Sequence, residues 1–212
     1  MTAPPPWTLH GDGLVLVAHF PEAFVRQHGF LADFQQAGYR GWLGTVMLVD
    51  YKTSNVGPYR ELLFIPGLFS IGGNTTFSIS KIYVSTQVSV DNGIENWGIP
   101  KEQADFDITH EPDGSTTYVV SRQGKPFFSV RATSGGLSFP VSTRLLPGFQ
   151  VTQQRRNATL LTAPKATGKG QLARLHNLQI DPAFFPDITQ GIRLATIAVK
   201  DFTMVFPVPE KQ

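Results

Sequence analysis

Short runs of β-branched and aromatic residues, each ended by a turn-forming residue, recur along the whole chain and limit what it can fold into. The 212 residues include 20 glycines and 16 prolines, which exceeds average usage. We predict strands at 13–20, 42–51, 59–65, 75–90, 106–110, 116–121, 126–132, 149–153, 158–162, 171–180 and 192–206, with one or two short helices after Pro21. This pattern favours a single mainly β or α+β domain on an antiparallel sheet that closes into a barrel, since closure removes exposed edges.

The start of the chain differs from the rest. Residues 1–8 contain three consecutive prolines and are predicted to form an extended arm before a domain at 9–208. No basic, apolar leader and no apolar run of about 20 residues is present, so we expect a cytoplasmic protein with no membrane partner. The absence of cysteine excludes disulfides, thiolate nucleophiles and cysteine-based metal sites.

Charged residues are unevenly distributed. Residues 91–113 contain seven acids and one base, Lys101, whereas residues 114–180 contain nine lysines and arginines and no acid. We expect the two stretches to lie against each other, and the alternative is a basic surface over 122–156 for an anionic partner. A net charge of +2, with no basic run longer than Arg155-Arg156, argues against a nucleic-acid partner.

Motifs that bind phosphates, cofactors or metals are missing. No G-x-G-x-x-G follows a strand, residues 163–170 lack the P-loop spacing, and residues 136–140 do not match the G-x-S-x-G nucleophile elbow. The five histidines lack the three- or four-residue spacing of a metal-binding helix. The sequence therefore predicts no metal and no cofactor.

Two short passages each place an ionisable residue among apolar neighbours. In residues 56–65, Glu61 interrupts an otherwise apolar strand, and in residues 93–101, Lys101 follows Trp97, Ile99 and Pro100. Such a setting presses an amine against apolar side chains. Composition alone favours a solvent-facing glutamate and an ordinary surface lysine.

The order and spacing of these passages resemble the acetoacetate decarboxylase family, most strongly over residues 42–110. The matching residues are Tyr59 and Glu61 in a P-Y-x-E motif, and Gly93, Glu95, Pro100 and Lys101 in a G-x-E-x4-P-K motif about forty residues later. The resemblance implies a cone-shaped antiparallel β-barrel, a possible homo-oligomer, and a Schiff base between Lys101 and a ketone with Glu61 in the same pocket. It also suggests pocket residues, namely Tyr59, Arg60, Trp97, Pro100 and Glu102.

Three positions depart from the family pattern. Ile94 stands where family decarboxylases usually have arginine, Glu102 stands where they have a second lysine, and Val46 stands where an acidic residue is expected. A carboxylate about 4 Å from the amine would stabilise its charged form by about 4 kcal/mol at an effective dielectric of about 20. If residues 100–102 are extended, Glu102 points away from Lys101, and if they turn, the two side chains can pair.

The resemblance implies a lyase that acts on a small or medium keto acid through an imine on Lys101, with Glu61 moving protons. Decarboxylation and related carbon–carbon bond chemistry both fit this description. The alternative is a non-catalytic member of the family that binds a ligand in an apolar barrel pocket, which Ile94, Val46 and Glu102 favour.

Overall fold

The computed structural model describes residues 2–146 and 148–212, and most of them lie in β-strands. The strands are, in chain order, β1 (Trp7–His19), β2 (Tyr39–Gly41), β3 (Leu43–Thr53), β4 (Tyr59–Ile65), β5 (Leu68–Ile71), β6 (Asn74–Phe77), β7 (Lys81–Val84), β8 (Lys101–Gln103), β9 (Asp105–His110), β10 (Ser115–Arg122), β11 (Lys125–Ser142), β12 (Val151–Arg155), β13 (Ala158–Thr162), β14 (Lys165–Ile180), β15 (Ile192–Phe206) and β16 (Glu210–Lys211). The helices are α1 (Glu22–His28), α2 (Asp33–Gly38) and α3 (Gln87–Trp97), with short 3-10 turns at Thr143–Leu145 and Ile188–Gln190.

Ten strands form one long sheet in the order β8-β7-β4-β3-β1-β15-β14-β11-β10-β9. Its two edge strands, β8 and β9, are separated in sequence by Ala104 alone, so the sheet curls back on itself into a nearly closed barrel. Neighbouring strands are antiparallel except β7 and β8, which pair in parallel. The prediction of a mainly β, barrel-shaped fold is confirmed.

The alternation of side chains along the central strands separates two cores. In β4, Leu62 and Phe64 belong to the first core, which lies within the curled sheet and includes residues from β1, β3, β10 and β11. Tyr59 and Leu63 belong to the second core, on the opposite face of β4. There the long sheet packs against α3 and against a six-stranded sheet of order β16-β13-β12-β6-β5-β2.

Helix α3 was not predicted, because residues 75–90 read as one β-prone stretch. The structure divides that stretch into β6, β7 and the start of α3, which is the third α-helix within residues 2–146 and 148–212. The Thr86 hydroxyl accepts a hydrogen bond from the Ser89 amide at the N-terminus, and Gly98 ends the helix at a left-handed φ of 67°. Both are standard helix-ending signals, and they outweigh the low helix propensity of the valines between them.

The acidic and basic stretches lie together, as expected from their charges. Ion pairs join Glu102 to Arg122, Asp113 to Arg131 and Glu95 to Arg155. Part of the basic surface proposed as an alternative is therefore neutralised within the chain. No helix within residues 2–146 and 148–212 has the length and apolar character needed to cross a membrane.

Candidate functional site

Lys101 is the first residue of β8 and is held by the end of α3. The Ile99 amide donates to the Gly93 carbonyl, and the Lys101 amide donates to the Ile99 carbonyl. Lys101 then pairs with Ile82 of β7 in parallel register. Its side chain consequently points into the second core, and only 6% of the residue is exposed.

The Lys101 amine lies among three polar side chains from different elements. Its Nζ atom is 3.2 Å from Glu61 Oε2, donates to Ser89 Oγ at 3.1 Å and lies 3.5 Å from the Tyr59 hydroxyl. The Tyr59 ring centre is 4.9 Å from the same nitrogen. The structure thus brings together Lys101, Glu61 and Tyr59, and adds Ser89 from α3.

Glu61 is equally buried, with 4% of the residue exposed. It lies in the middle of β4 and pairs with Val49 on one side and Val84 on the other. Its second carboxylate oxygen accepts a hydrogen bond of 3.0 Å from the Tyr51 hydroxyl. A buried charge without a partner is very costly, so the amine, the carboxylate and the tyrosine form one mutually dependent network.

The tyrosines around Glu61 are held in their neutral form. Burial, and after it the negative charge of Glu61, raises the pKa of both Tyr51 and Tyr59 well above the ordinary value of 10.0. Burial is also the main cause of a raised pKa at the remaining tyrosines, which are Tyr39, Tyr83 and Tyr118. At neutral pH these phenols are therefore uncharged, and Tyr51 donates a hydrogen bond to Glu61.

We predict a loss of stability at alkaline pH from these tyrosines. The contribution is complete below pH 10 and is lost as the pH rises from about 10 through the folded-state pKa values, because only the unfolded chain then releases protons. The folded protein should show little tyrosinate absorbance at pH 10, whereas the chain in denaturant should be about half ionised. Equal absorbance in the two states would contradict this.

Gly93 makes room for the stem of Lys101. A β-carbon at Gly93 would lie 2.6 Å from Lys101 Cδ and 2.9 Å from Cε, which is closer than carbon atoms pack. The helix can approach β8 in this way only because residue 93 has no side chain.

We predict that Gly93→Ala lowers the free energy of unfolding by about 1–3 kcal/mol, the usual cost of overpacking a core. Chemical denaturation measures this change. Gly135→Ala is the matched control, because no atom lies within 4 Å of a β-carbon at that strand position, and its stability should match that of the unmodified protein. Equal stabilities for the two variants would contradict the tight packing.

Two of the predicted pocket residues point away from the amine. Residues 101–103 are extended, so Glu102 faces the opposite side from Lys101 and pairs with Lys81 and Arg122. Arg60 is likewise on the opposite face of β4 from Glu61. It lies 3.5 Å from Asp50 and donates to the carbonyl of Phe106. The structure does not bring Arg60 or Glu102 into the cluster.

Trp97 and Pro100 flank the site without touching the amine directly. Trp97 is buried, and its indole nitrogen donates to the Pro207 carbonyl, whereas Pro100 is exposed. The indole that approaches Lys101 belongs to Trp7, whose ring centre lies 5.9 Å from Nζ and 5.0 Å from the Trp97 ring.

Sequence reasoning missed Ser89, Tyr51 and Trp7. Ser89 stands four residues before Gly93, so recognising α3 would have placed both on one helical face. Tyr51 could have been found only from the register of β3 and β4, which pairs it with Tyr59. Trp7 gave no signal, because it precedes the first predicted strand.

The cluster combines a buried amine, a carboxylate within hydrogen-bonding distance and hydroxyl donors. These are the groups needed for an amine nucleophile whose proton is moved by a neighbouring carboxylate. Within residues 2–146 and 148–212, no three histidine or acidic side chains come close enough to hold a metal ion.

The sequence matches the model of one known protein family over most of its length. The family model for acetoacetate decarboxylase (ADC) matches residues 41–194, which include Tyr59, Glu61, Ser89 and Lys101. No curated protein matches the sequence.

Solved structures share the fold at low sequence identity. Acetoacetate decarboxylase from Legionella pneumophila subsp. pneumophila str. Philadelphia 1 superposes with a TM-score of 0.76 at 11% identity, covering 99% of this chain and 88% of that one. An acetoacetate decarboxylase-like enzyme from Sphingomonas wittichii RW1 gives 0.70 at 11%, covering 100% and 94%. The enduracididine biosynthesis enzyme MppR, complexed with pyruvate, gives 0.67 at 14%, covering 100% and 91%.

Proposed function

Because the chain belongs to the acetoacetate decarboxylase family, we propose that it is a carbon–carbon lyase that acts on a small or medium keto acid through an imine on Lys101. The observation that carries the proposal is the buried pair of Lys101 Nζ and Glu61 Oε2, 3.2 Å apart. No cofactor is needed, since the protonated imine is itself the electron sink.

The first step requires a neutral amine. Transfer of one proton from Nζ to the Glu61 carboxylate, 3.2 Å away, leaves both groups uncharged and supplies that amine. The amine then attacks the carbonyl carbon. Glu61 returns that proton to the carbonyl oxygen and then passes to the same oxygen a second proton, taken from the attacking nitrogen, so that the oxygen leaves as water. The product is a protonated imine beside a Glu61 carboxylate.

In the second step, a bond next to the imine breaks. For a β-keto acid, the bond to the carboxylate breaks and its electron pair moves toward the imine nitrogen, so that carbon dioxide leaves and an enamine remains. A proton from water, relayed by Glu61, adds to the enamine carbon. Water then hydrolyses the imine, which releases the ketone and regenerates the amine.

Substrate recognition in this proposal depends on hydroxyl groups. Arg60 faces Asp50 on the other side of β4, so it is not assigned a role. The hydroxyl groups of Ser89 and Tyr59 lie near Nζ. We propose that they orient the oxygen atoms of the substrate. The structure of MppR complexed with pyruvate supports a keto acid as the class of ligand.

Reductive trapping tests this function. The protein is incubated with acetoacetate or pyruvate, reduced with borohydride and digested, and the peptide carrying Lys101 is weighed by mass spectrometry. The proposal expects the mass of the reduced adduct on that peptide, together with release of carbon dioxide from acetoacetate. Absence of an adduct with either compound would overturn it.

A ligand-binding, non-catalytic role is the second candidate, favoured by a different observation. The first core contains a cavity of about 270 Å³ lined mainly by apolar side chains, namely Leu16, Ala18, Phe20, Val46, Leu178 and Ile188. Neither Lys101 nor Glu61 lines it. Calorimetric binding of an apolar carbonyl compound that persists in Lys101→Ala, without turnover of any keto acid, would favour this role over the lyase.

A further inference from the structure

The wall of the Lys101 site nearest the N-terminus is an indole ring. Trp7 is 2% exposed, its ring centre lies 5.9 Å from Nζ, and its ring meets Trp97 edge-on at 5.0 Å. Trp7, on β1, thus lies beside the amine together with the groups that β4 and α3 supply.

Residues 2–6, the arm that precedes Trp7, are tied to α3 by side-chain hydrogen bonds. The Ala3 amide donates to Asn92 Oδ1 at 2.7 Å. The Ala3 carbonyl accepts from Asn96 Nδ2 and from the Trp7 indole nitrogen, both at 2.8 Å. The arm therefore fixes the indole in place over the amine.

A second attachment holds the arm on the side of β3. Asn55, in the loop between β3 and β4, donates to the Pro6 carbonyl at 3.3 Å and accepts from the Thr8 amide at 2.8 Å. The Asn55 side chain therefore holds the residues on either side of Trp7.

The other walls are held more firmly. Tyr59 and Glu61 belong to β4, which is hydrogen-bonded to strands on both sides, and Ser89 lies on a helix packed against β8. Trp7 is at the very start of β1, opposite Phe206, and the segment before it has no strand partner. Because Nζ is buried, a carbonyl compound needs space beside it, and the volume of the Trp7 indole limits that space.

We propose that Trp7 is the residue that determines which carbonyl compounds reach Lys101, restricting imine formation to small ones with a short chain beside the carbonyl. This inference rests on the proposed imine chemistry of Lys101. Trp7 acts by its volume, and replacing it with a smaller side chain extends the pocket toward the arm without removing any group that moves a proton.

The test compares two neutral ketones, acetone and 4-phenylbutan-2-one, each trapped on the full chain with borohydride. The unmodified protein should form far more adduct with acetone than with 4-phenylbutan-2-one. Trp7→Leu should raise the ratio of bulky to small adduct at least tenfold, and Trp7→Phe should raise it by less. Trp42→Leu is the matched control, because Trp42 is half exposed and packs against Phe77 instead, and it should keep the original ratio.

Asn55→Ala separates release of the arm from enlargement of the pocket. This variant should trap both ketones faster than the unmodified protein does. Its ratio of bulky to small adduct should lie closer to the ratio of the unmodified protein than the ratio of Trp7→Leu does. Normal acetone trapping with an unchanged ratio in both Trp7 variants would overturn the role of Trp7 alone. Failure of the unmodified protein to trap any ketone would overturn the imine chemistry together with it.

Discussion

Replacing Glu61 by glutamine is expected to slow imine formation at Lys101 by about 10²–10⁴-fold, the usual contribution of a positioned proton-transfer group. The amide nearly preserves the shape of the side chain and can still accept from Tyr51, but it cannot take the proton from Nζ or return it to the departing oxygen. The rate of hydride-trapped adduct, measured with pyruvate at neutral pH, reports this change.

The matched control for this variant is Glu102→Gln. It removes the carboxylate adjacent to Lys101 in sequence, yet that carboxylate pairs with Lys81 and Arg122 on the other face of β8. Its trapping rate should stay within about a factor of three of the unmodified protein, since the partly exposed Glu102 carboxylate faces away from the amine. A larger loss of trapping rate in Glu102→Gln than in Glu61→Gln would contradict the role of Glu61 and indicate that Glu102 transfers the proton.

Replacing Lys101 by methionine should lower the free energy of unfolding by about 3–5 kcal/mol, because Glu61 then loses its buried partner. Adding Glu61→Leu to that variant should restore most of the loss, since two apolar side chains of similar volume need no charge compensation. Chemical denaturation of the two single variants and the double variant measures the coupling between the two side chains.

Lys81→Met is the control for the stability experiment. Lys81 also pairs with a glutamate, Glu102, but 35% of the Glu102 side chain is exposed. When Lys81 is replaced, water can therefore solvate the Glu102 carboxylate. The expected cost is about 1 kcal/mol or less. Equal costs at Lys81 and Lys101, or a double variant no more stable than Lys101→Met, would contradict a mutually dependent buried pair.

The sequence was sufficient to predict the class of fold and to select Glu61 and Lys101, which the structure brings together in the candidate site. Turn residues separate the strands clearly, and the motifs around Glu61 and Lys101 have a spacing that resembles one family. The order of strands in the sheet was not predictable, because it depends on long-range pairing such as that of β1 with β15.

The alternation of side chains between the two faces of a strand explains why two of the predicted pocket residues lie away from the amine. Arg60 is adjacent to Glu61, and Glu102 is adjacent to Lys101, yet each lies on the opposite face of its strand. For Glu102 the sequence left both an extended and a turned conformation open, and the pairing of β8 with β7 selects the extended one. For Arg60, alternation along the predicted strand could have excluded a place beside Glu61.

Helix α3 accounts for most of what the sequence did not reveal. Its valines favour strands, and Gly93 weakens a helix, so local propensity predicted the wrong element. Packing explains the outcome, because Gly93 lets the helix approach the Lys101 stem and Ser89 reaches the amine. Where residues are selected for close contact at a site, their intrinsic propensities predict the secondary structure poorly.

The most direct test of the central claim is the position of the trapped adduct among the eight lysines of the chain. The protein is reduced with borohydride in the presence of pyruvate, and each lysine-containing peptide is weighed. The account predicts a single modified residue, Lys101, although it is 6% exposed, and loss of the adduct in Lys101→Arg. Modification spread over the exposed lysines, or an adduct that survives in Lys101→Arg, would contradict it.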